Sequence, residues 1–415
     1  LSRNKGGLLR LLVWTCAYPP DPAAVGQYLA DAAVGAARLG HRVRVITADR
    51  GYEDPRMRYP RYAIDRGVEV VRLGLSSFGK KSLAARLAGQ ISFSVQALFR
   101  GLCGPRPGLI LVSTTPPFGI AGAWMLSVLR RVPLVYWVMD INPDQAVAMG
   151  MVAPRSVMAR VLEGLNRLVL RSAARVITLD SRMADKLSRK APIRRPIGII
   201  PPWPQEETLS LVPDAGQAFR RAHGLQDKFV VMYSGNHSWV HPLDTVLRAA
   251  RALEARSDIR FVFVGQGNDK GKVDEAVRRG APNILSLPVQ PQADLGESLA
   301  AADAHLVVMG EAMTGIVHPS KIYNAMLAGR PILAIAPPDS HISDIIALDH
   351  PGIRVDHGED GRLAGTIAGL ADMDPAERER MGLRARSLVR AQWDQRVLMG
   401  RLFEALEESA EEGRT

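Results

Sequence analysis

Short apolar runs alternate with stretches of helical spacing along almost the whole chain. In the first half, runs rich in Val, Ile and Leu fall at Leu9–Cys16, Arg42–Thr47, Val68–Leu73, Leu109–Ser113, Pro133–Val138, Arg175–Leu179 and Gly198–Ile200. Between them, residues 25–39, 81–103, 119–131, 155–172 and 181–190 repeat apolar positions three and four apart, which predicts helices. Strands that are apolar on both faces and separated by helices predict βαβ units and a parallel sheet. Pro201-Pro202-Trp203-Pro204 interrupts this pattern, and the polar stretch Gln205–Gln217 reads as a linker. The alternation restarts at Phe229–Ser234 and continues through Ile259–Gly265, Asn283–Leu287, Ala304–Val308, Pro331–Ile335 and Gly352–Val355. The pattern predicts an α/β protein of two Rossmann-like, doubly wound domains, residues 1–203 and 204–392. In the tail, Asp374-Pro375-Ala376-Glu377 reads as a cap, a first-turn Pro and an acid at a helix start. A last helix is expected from about Trp393 to Glu408, with residues 393–415 crossing back to the first domain.

Composition narrows the class. Of 415 residues, 47% are hydrophobic, enough for packed cores and against wholesale disorder. Two cysteines, Cys16 and Cys103, exclude a disulfide framework and a Cys-rich zinc site. No apolar run is long enough to predict a transmembrane helix. Arg3, Lys5 and Arg10 before Leu11–Ala17 mimic a signal peptide, but Tyr18-Pro19-Pro20-Asp21-Pro22 follows where a small-residue cleavage site would stand, so a buried strand is expected. The net charge of +11 is unevenly spread. Residues 1–203 carry 30 Lys+Arg against 12 Asp+Glu, a net +18, while the remainder carries 23 against 30, a net −7. Only the first half is therefore expected to face a polyanion: nucleic acid, an anionic membrane or a phosphorylated substrate. The aromatics are not clustered for base stacking and no nucleic-acid motif is present, which argues against nucleic acid.

Ligands of doubly wound domains bind at strand C-termini, so two in tandem place the expected site in the cleft between them. Three loops there carry chemistry. Tyr233-Ser234-Gly235-Asn236-His237 joins a strand to a helix, and its small residues let backbone N–H groups approach an anion. Gly265-Gln266-Gly267-Asn268 resembles half of a dinucleotide fingerprint and also reads as a structural turn. In Gly315–Pro331, Pro319, Ser320 and Lys321 are expected in one first helical turn, where the Lys suits a diphosphate. Asp372-Met373-Asp374 reads as helix capping and not as a metal site, and the nine His residues show no metal-ligand spacing. No metal and no cofactor are expected.

In this order, Gly40-His41-Arg42-Val43, Val230–Asn236, Phe263-Val264-Gly265-Gln266-Gly267 and Pro319-Ser320-Lys321-Ile322-Tyr323 with Ala328-Gly329-Arg330-Pro331 resemble a retaining nucleotide-sugar glycosyltransferase of family 4, with the GT-B fold. Asp140-Ile141-Asn142-Pro143-Asp144 and Pro319-Ser320-Lys321 resemble the branch of bacterial capsule, O-antigen and exopolysaccharide assembly. The chain departs from the family at the two glutamates spaced by seven, which fall at Ile316 and Asn324, and at the usual Arg, replaced near Asn236-His237. Asn324 keeps the capacity to bond a ribose hydroxyl.

The resemblance implies a nucleotide-sugar donor, UDP-linked, in the second domain and a lipid-linked or polysaccharide-precursor acceptor at the first, transferred with retention and without metal. Lys321 and Asp140 are the expected catalytic residues. Ser234, Gly235, Asn236, Gly265, Val289, Gln290, Glu311, Gly315, Pro319, Ser320 and Asn324 are the expected donor contacts. Gly26, Lys80, Lys81, Arg86 and Arg100 are assigned to the acceptor or to an anionic membrane, since residues 80–106 interleave cations with apolar residues at helical spacing. This predicts a protein peripheral on the cytoplasmic face of the plasma membrane. A nucleotide-sugar 2-epimerase of the same fold, a nucleic-acid-binding protein and an inactive partner subunit are the alternatives.

Overall fold

Each apolar run read as a strand forms one, to within two residues at either end. The computed structural model describes residues 8–51, 54–76, 83–205 and 215–413. By its contacts the chain divides into two units, one of residues up to Pro201 together with those from Arg396 onward, the other Pro202–Gln395.

The first unit is built on β1 (Arg10–Trp14), β2 (Arg42–Ala48), β3 (Tyr62–Asp65), β4 (Val68–Leu73), β5 (Leu109–Ser113), β6 (Leu134–Val138), β7 (Arg175–Thr178) and β8 (Gly198–Ile199). Their spatial order is β3-β4-β2-β1-β5-β6-β7-β8, parallel except at β3. Every residue of β5 and β6 is buried, as strands covered on both faces must be. Successive connections from β4 to β5, β6 and β7 move one way across the sheet. Right-handed crossovers therefore lay the helices Leu83–Cys103, Gly119–Arg130 and Val157–Ser172 side by side on one face. The helix Ala24–Arg38 runs on the other face, where Gly35 lies against Met399 and Phe403 of the C-terminal helix Gln395–Glu412. His41 and Arg175 reach Glu407 and Glu408 of that helix at 3.4 and 3.5 Å, and Arg195 pairs with Glu412.

The second unit is built on β9 (Phe229–Ser234), β10 (Ile259–Val264), β11 (Ile284–Leu287), β12 (Ala304–Val308), β13 (Ile332–Ile335) and β14 (Gly352–Val355). Their order, β11-β10-β9-β12-β13-β14, is wholly parallel, with register Val231↔Ala304 across its centre. Phe261, Phe263 and Tyr233 fill one side of the core with no exposed surface.

Helix ends follow local chemistry. The Ser156 hydroxyl accepts from Ala159 N–H at 3.2 Å, and the Asp180 carboxylate from Met183 N–H at 2.8 Å. Asp374 accepts from Ala376 and Glu377 at 3.0 and 3.2 Å, with Pro375 in the first turn. Its neighbour Asp372 is ion-paired with Arg256 at 2.7 Å.

Three elements depart from the pattern-based reading. β3 pairs antiparallel to β4 through the tight turn Arg66-Gly67, both at positive φ. As an edge strand exposing Tyr62 and Ile64 it has no continuous apolar run to betray it. The short helix Asp144–Ala148 has no buried residue and hence no apolar period. The helix Ala215–Ala222 begins inside the stretch read as linker, packing Phe219 onto Leu225 and Val230.

Leu402, in the C-terminal helix, is fully buried. Replacing it with Ala should cost the first unit about 2–5 kcal/mol through the cavity left behind. Urea unfolding followed by circular dichroism measures this, and an unchanged midpoint would show that this helix does not share the core.

Candidate functional site

In the second unit the strand order reverses between β9 and β12. Loops diverge at such a point and open a crevice at the strand C-termini. Two of the loops at that end, those after β9 and β10, interlock. The N–H of Gly235 donates to Val264 O at 3.0 Å, that of His237 to Gln266 O at 2.8 Å, and that of Asp269 to His237 O at 3.0 Å. Gly235 and Gly265 have φ of +140° and +138°, a region other residues rarely enter. A Cβ on Gly265 would overlap the Gly235 carbonyl. Gly265, a sequence candidate for donor contact, thus shapes the loop that carries Gly235.

Lys321 comes to the other side of Gly235. Its Nζ would lie 3.4 Å from a Cβ built there. It donates to Tyr233 Oη at 2.5 Å and stands 4.1 Å from the centre of the Tyr233 ring. Tyr233 is buried, donates its own hydroxyl to Asn236 O at 2.7 Å, and so anchors the lysine to the Ser234–Asn236 turn. Half-buried, Lys321 has lost part of its hydration, which pulls its pKa down to about 7.

The neighbouring imidazoles are neutral. Burial, then the charges of Lys270 and Lys321, push His237 down to about 4. Its Nδ1 lies 3.0 Å from Gly235 O, which makes that nitrogen the donor, and Nε2 has no hydrogen-bond partner among the described residues. Burial likewise holds His241 well below its ordinary value. Lys270, overlooked in the sequence, donates to Phe263 O at 3.1 Å and Leu287 O at 2.8 Å at the ends of β10 and β11. The sequence signal was there: a Lys opening the helix Lys270–Arg278 after a glycine turn.

The helix Lys321–Leu327 begins at Lys321 itself, with Ser320 at the N-cap and buried Pro319 one step earlier, so Pro319 is not in its first turn. Gly315 has φ of +64° in the loop leading to it. Seven residues do not hold a helix unaided. Arg386 donates to the C-terminal carbonyls of Leu327 and Ala328 at 2.9 and 2.8 Å. Tyr323 packs on Trp393 at 5.3 Å, and its hydroxyl lies 2.7 Å from His318 Nε2.

The other candidates are placed as follows. The Asn324 carboxamide oxygen accepts the Gln205 backbone N–H at 3.0 Å. Ile316, at the other position of the missing glutamate pair, is buried as a core residue. Glu311 is exposed in a single helical turn after β12, and Gly310 N–H ties that loop to Val240 O at 2.8 Å. Val289 is exposed and Gln290 donates to Pro288 O at 3.1 Å, both in the loop after β11.

In the first unit, Asp140 follows β6, and burial raises its carboxyl to about 6. Gln145 Nε2 approaches its Oδ1 at 3.5 Å. Gly26 lets the helix Ala24–Arg38 start against the loop after β1, where a Cβ would stand 3.0 Å from the Ala17 carbonyl. Arg100 is exposed near the end of the helix Leu83–Cys103. Lys80 and Lys81 lie outside the described residues, and Arg86 is placed only as part of that helix.

An ammonium set beside a glycine turn at the strand C-termini, with neutral imidazoles behind it, suits a phosphorylated ligand. The Glycosyl transferase 4-like domain matches residues 23–203 and the Glycosyl transferases group 1 domain residues 228–373. The chain belongs to the GT-B glycosyltransferases of the family 4 type, in the branch that builds bacterial polysaccharides. It is 28% identical over 333 residues to WcaI of Escherichia coli K12, named for colanic acid biosynthesis, covering 77% of this chain and 82% of that one. It is 28% identical over 255 residues to WbjE of Pseudomonas aeruginosa, named as a glycosyltransferase, covering 61% and 60%. Among solved structures, the fold is similar to sucrose-phosphate synthase of Thermosynechococcus elongatus, with TM-score 0.75, 15% identity and coverage of 96% and 100%. It is also similar to HepE of Anabaena in complex with UDP and glucose, with TM-score 0.71, 18% identity and coverage of 96% and 99%.

The depressed pKa of Lys321 has a signed consequence. Between about 7 and the ordinary lysine value of 10.5, the unfolded chain holds a proton that the folded chain lacks, so this group's contribution to stability rises with pH in that window. Lys321→Met removes the buried charge. Its stability relative to wild type should be highest near pH 6 and decline toward pH 9, read by thermal unfolding across pH. A flat difference would show that the amine is fully hydrated.

Proposed function

We propose that the chain transfers a sugar from a UDP-linked donor to a lipid-linked or polysaccharide-precursor acceptor, with retention and without a metal ion, at the cytoplasmic face of a membrane. One observation carries the reading: the Lys321 ammonium, braced on Tyr233, sits against the Gly235 turn at the switch point of the second unit. A diphosphate leaving group gains negative charge as its bond to the sugar breaks. Lys321 is placed to stabilise that charge in a partly dehydrated setting where electrostatic contacts count most. The new glycosidic bond forms on the face the diphosphate leaves, and the departing phosphate takes the acceptor proton, so no side-chain base is required. The Anabaena HepE structures hold UDP and glucose, which supports the donor class. The WcaI name supports a polysaccharide-precursor acceptor. Among the described residues no helix is long and apolar enough to cross a membrane, so the reading is of peripheral attachment.

Lys321→Ala should lower kcat/KM about 100- to 1000-fold, the size of effect seen when one oxyanion contact is removed, while the melting temperature falls little. Near-normal turnover would refute the phosphate role. Activity should persist in EDTA; a complete loss that Mg²⁺ or Mn²⁺ restores would show that metal bears the diphosphate charge.

A further inference from the structure

The layer of three helices on one face of the first sheet is apolar on its outer side as well as its inner one. On the helix Leu83–Cys103, Ile91, Val95 and Phe99 follow one another at intervals of four, and Val95 and Phe99 are 61% and 65% exposed. Cys103, also exposed, continues the same stripe. Its neighbour Gly119–Arg130 exposes Met125 and Leu129, again four apart. The third helix, Val157–Ser172, exposes Val157 and Val161, the former by 69%. A single exposed apolar residue needs no explanation, but each of three neighbouring helices in one layer exposes a pair or a row of them four apart. Their inner sides are satisfied: Phe93 is fully buried against Trp14, and Leu126 packs where Gly101 leaves room.

Charge selects the occupant. Arg100, Arg160, Arg167 and Arg171 are exposed on these helices, while Arg130 is spent on the carbonyls of Leu102 and Gly104; the one carboxylate on the three, Glu163, is ion-paired with Arg167 and Lys190. A second copy of this face, docked by a twofold axis, would set cations against cations. An anionic bilayer offers what the face lacks, since acyl chains accept the apolar stripes while arginines at their edges stay level with phosphate headgroups.

We propose that the outer side of these three helices is the surface by which the protein docks on an anionic membrane. The proposal rests on the reading of a lipid-linked acceptor, which such a face would bring within reach. It carries the contact beyond the 80–106 segment that the sequence suggests, onto the helices Gly119–Arg130 and Val157–Ser172. Binding needs both components: the arginines supply attraction that salt screens, and the stripes supply insertion that salt does not weaken.

The test uses the full chain and vesicles of phosphatidylglycerol with phosphatidylcholine, against phosphatidylcholine alone. Wild type should co-sediment with the anionic vesicles only. Both Val95→Glu with Phe99→Glu and Arg100→Glu with Arg160→Glu and Arg171→Glu should weaken binding by about tenfold or more. These side chains are exposed, so folding should survive, checked by circular dichroism. A polarity-sensitive dye on Cys103, in a Cys16→Ala background, should shift to the blue on the anionic vesicles. Binding that is unchanged in both variants, no binding by wild type, or a blue shift caused by dimerisation without lipid (read by sedimentation velocity) would overturn the proposal. Sugar transfer to an acceptor dissolved in detergent should be equal in wild type and in the Val95→Glu, Phe99→Glu variant. If transfer fails in both while vesicles still bind, the function is misread and the docking face stands.

Discussion

The placement of one ammonium organises the second unit. Lys321 is held part-way out of water, between the face of Tyr233 and the bare backbone of Gly235. That position carries a desolvation penalty, visible as a pKa drawn down toward neutrality. Everything around it makes the position tenable. The Tyr233 hydroxyl takes a hydrogen bond from the lysine and passes one to Asn236. The imidazole of His237 is kept neutral by burial and by the charges of Lys270 and Lys321, and adds no positive charge of its own. The short helix that starts at Lys321 is steadied from its far end by Arg386 and on its flank by Trp393. A site built this way gives up some stability in the empty protein, and an anionic phosphate beside the amine would draw its proton back on.

The first unit spends its irregularities differently. Its sheet is the same parallel construction, extended by a hairpin at one edge and closed on one face by the helix Ala24–Arg38 and the C-terminal helix Gln395–Glu412. The other face is covered once, by three helices that are apolar on both sides. That layer carries six arginines against one carboxylate, a share of the positive balance of the first half.

Much of the fold was legible because buried parallel strands write themselves as continuous apolar runs. β5, β6 and β12 are buried at every position, and their shortness together with their branched residues sets such runs apart from most buried helices. β3 was not legible, because an edge strand with exposed Tyr62 and Ile64 is stabilised by pairing and by its turn, not by burial. The helix Ala215–Ala222 hid behind a proline-rich, polar approach, and its hold on the core through Phe219 appears only once Leu225 and Val230 are folded beside it.

At the candidate site the same division holds. Lys321, Gly235 and Asn236 could be picked out because loops at strand ends with glycine and a helix-start lysine have a chemical meaning along the chain itself. The sequence determined the strands and helices in their alternating order, the capped helices and the charge imbalance, since each depends on residues close together in the chain. Only tertiary structure decided that Tyr233 braces Lys321 across 88 residues, that Lys270 caps the ends of two strands, and that Asn324 spends its carboxamide oxygen on Gln205. Those are contacts between segments distant in sequence, and their energies come from burial and geometry that no local pattern encodes.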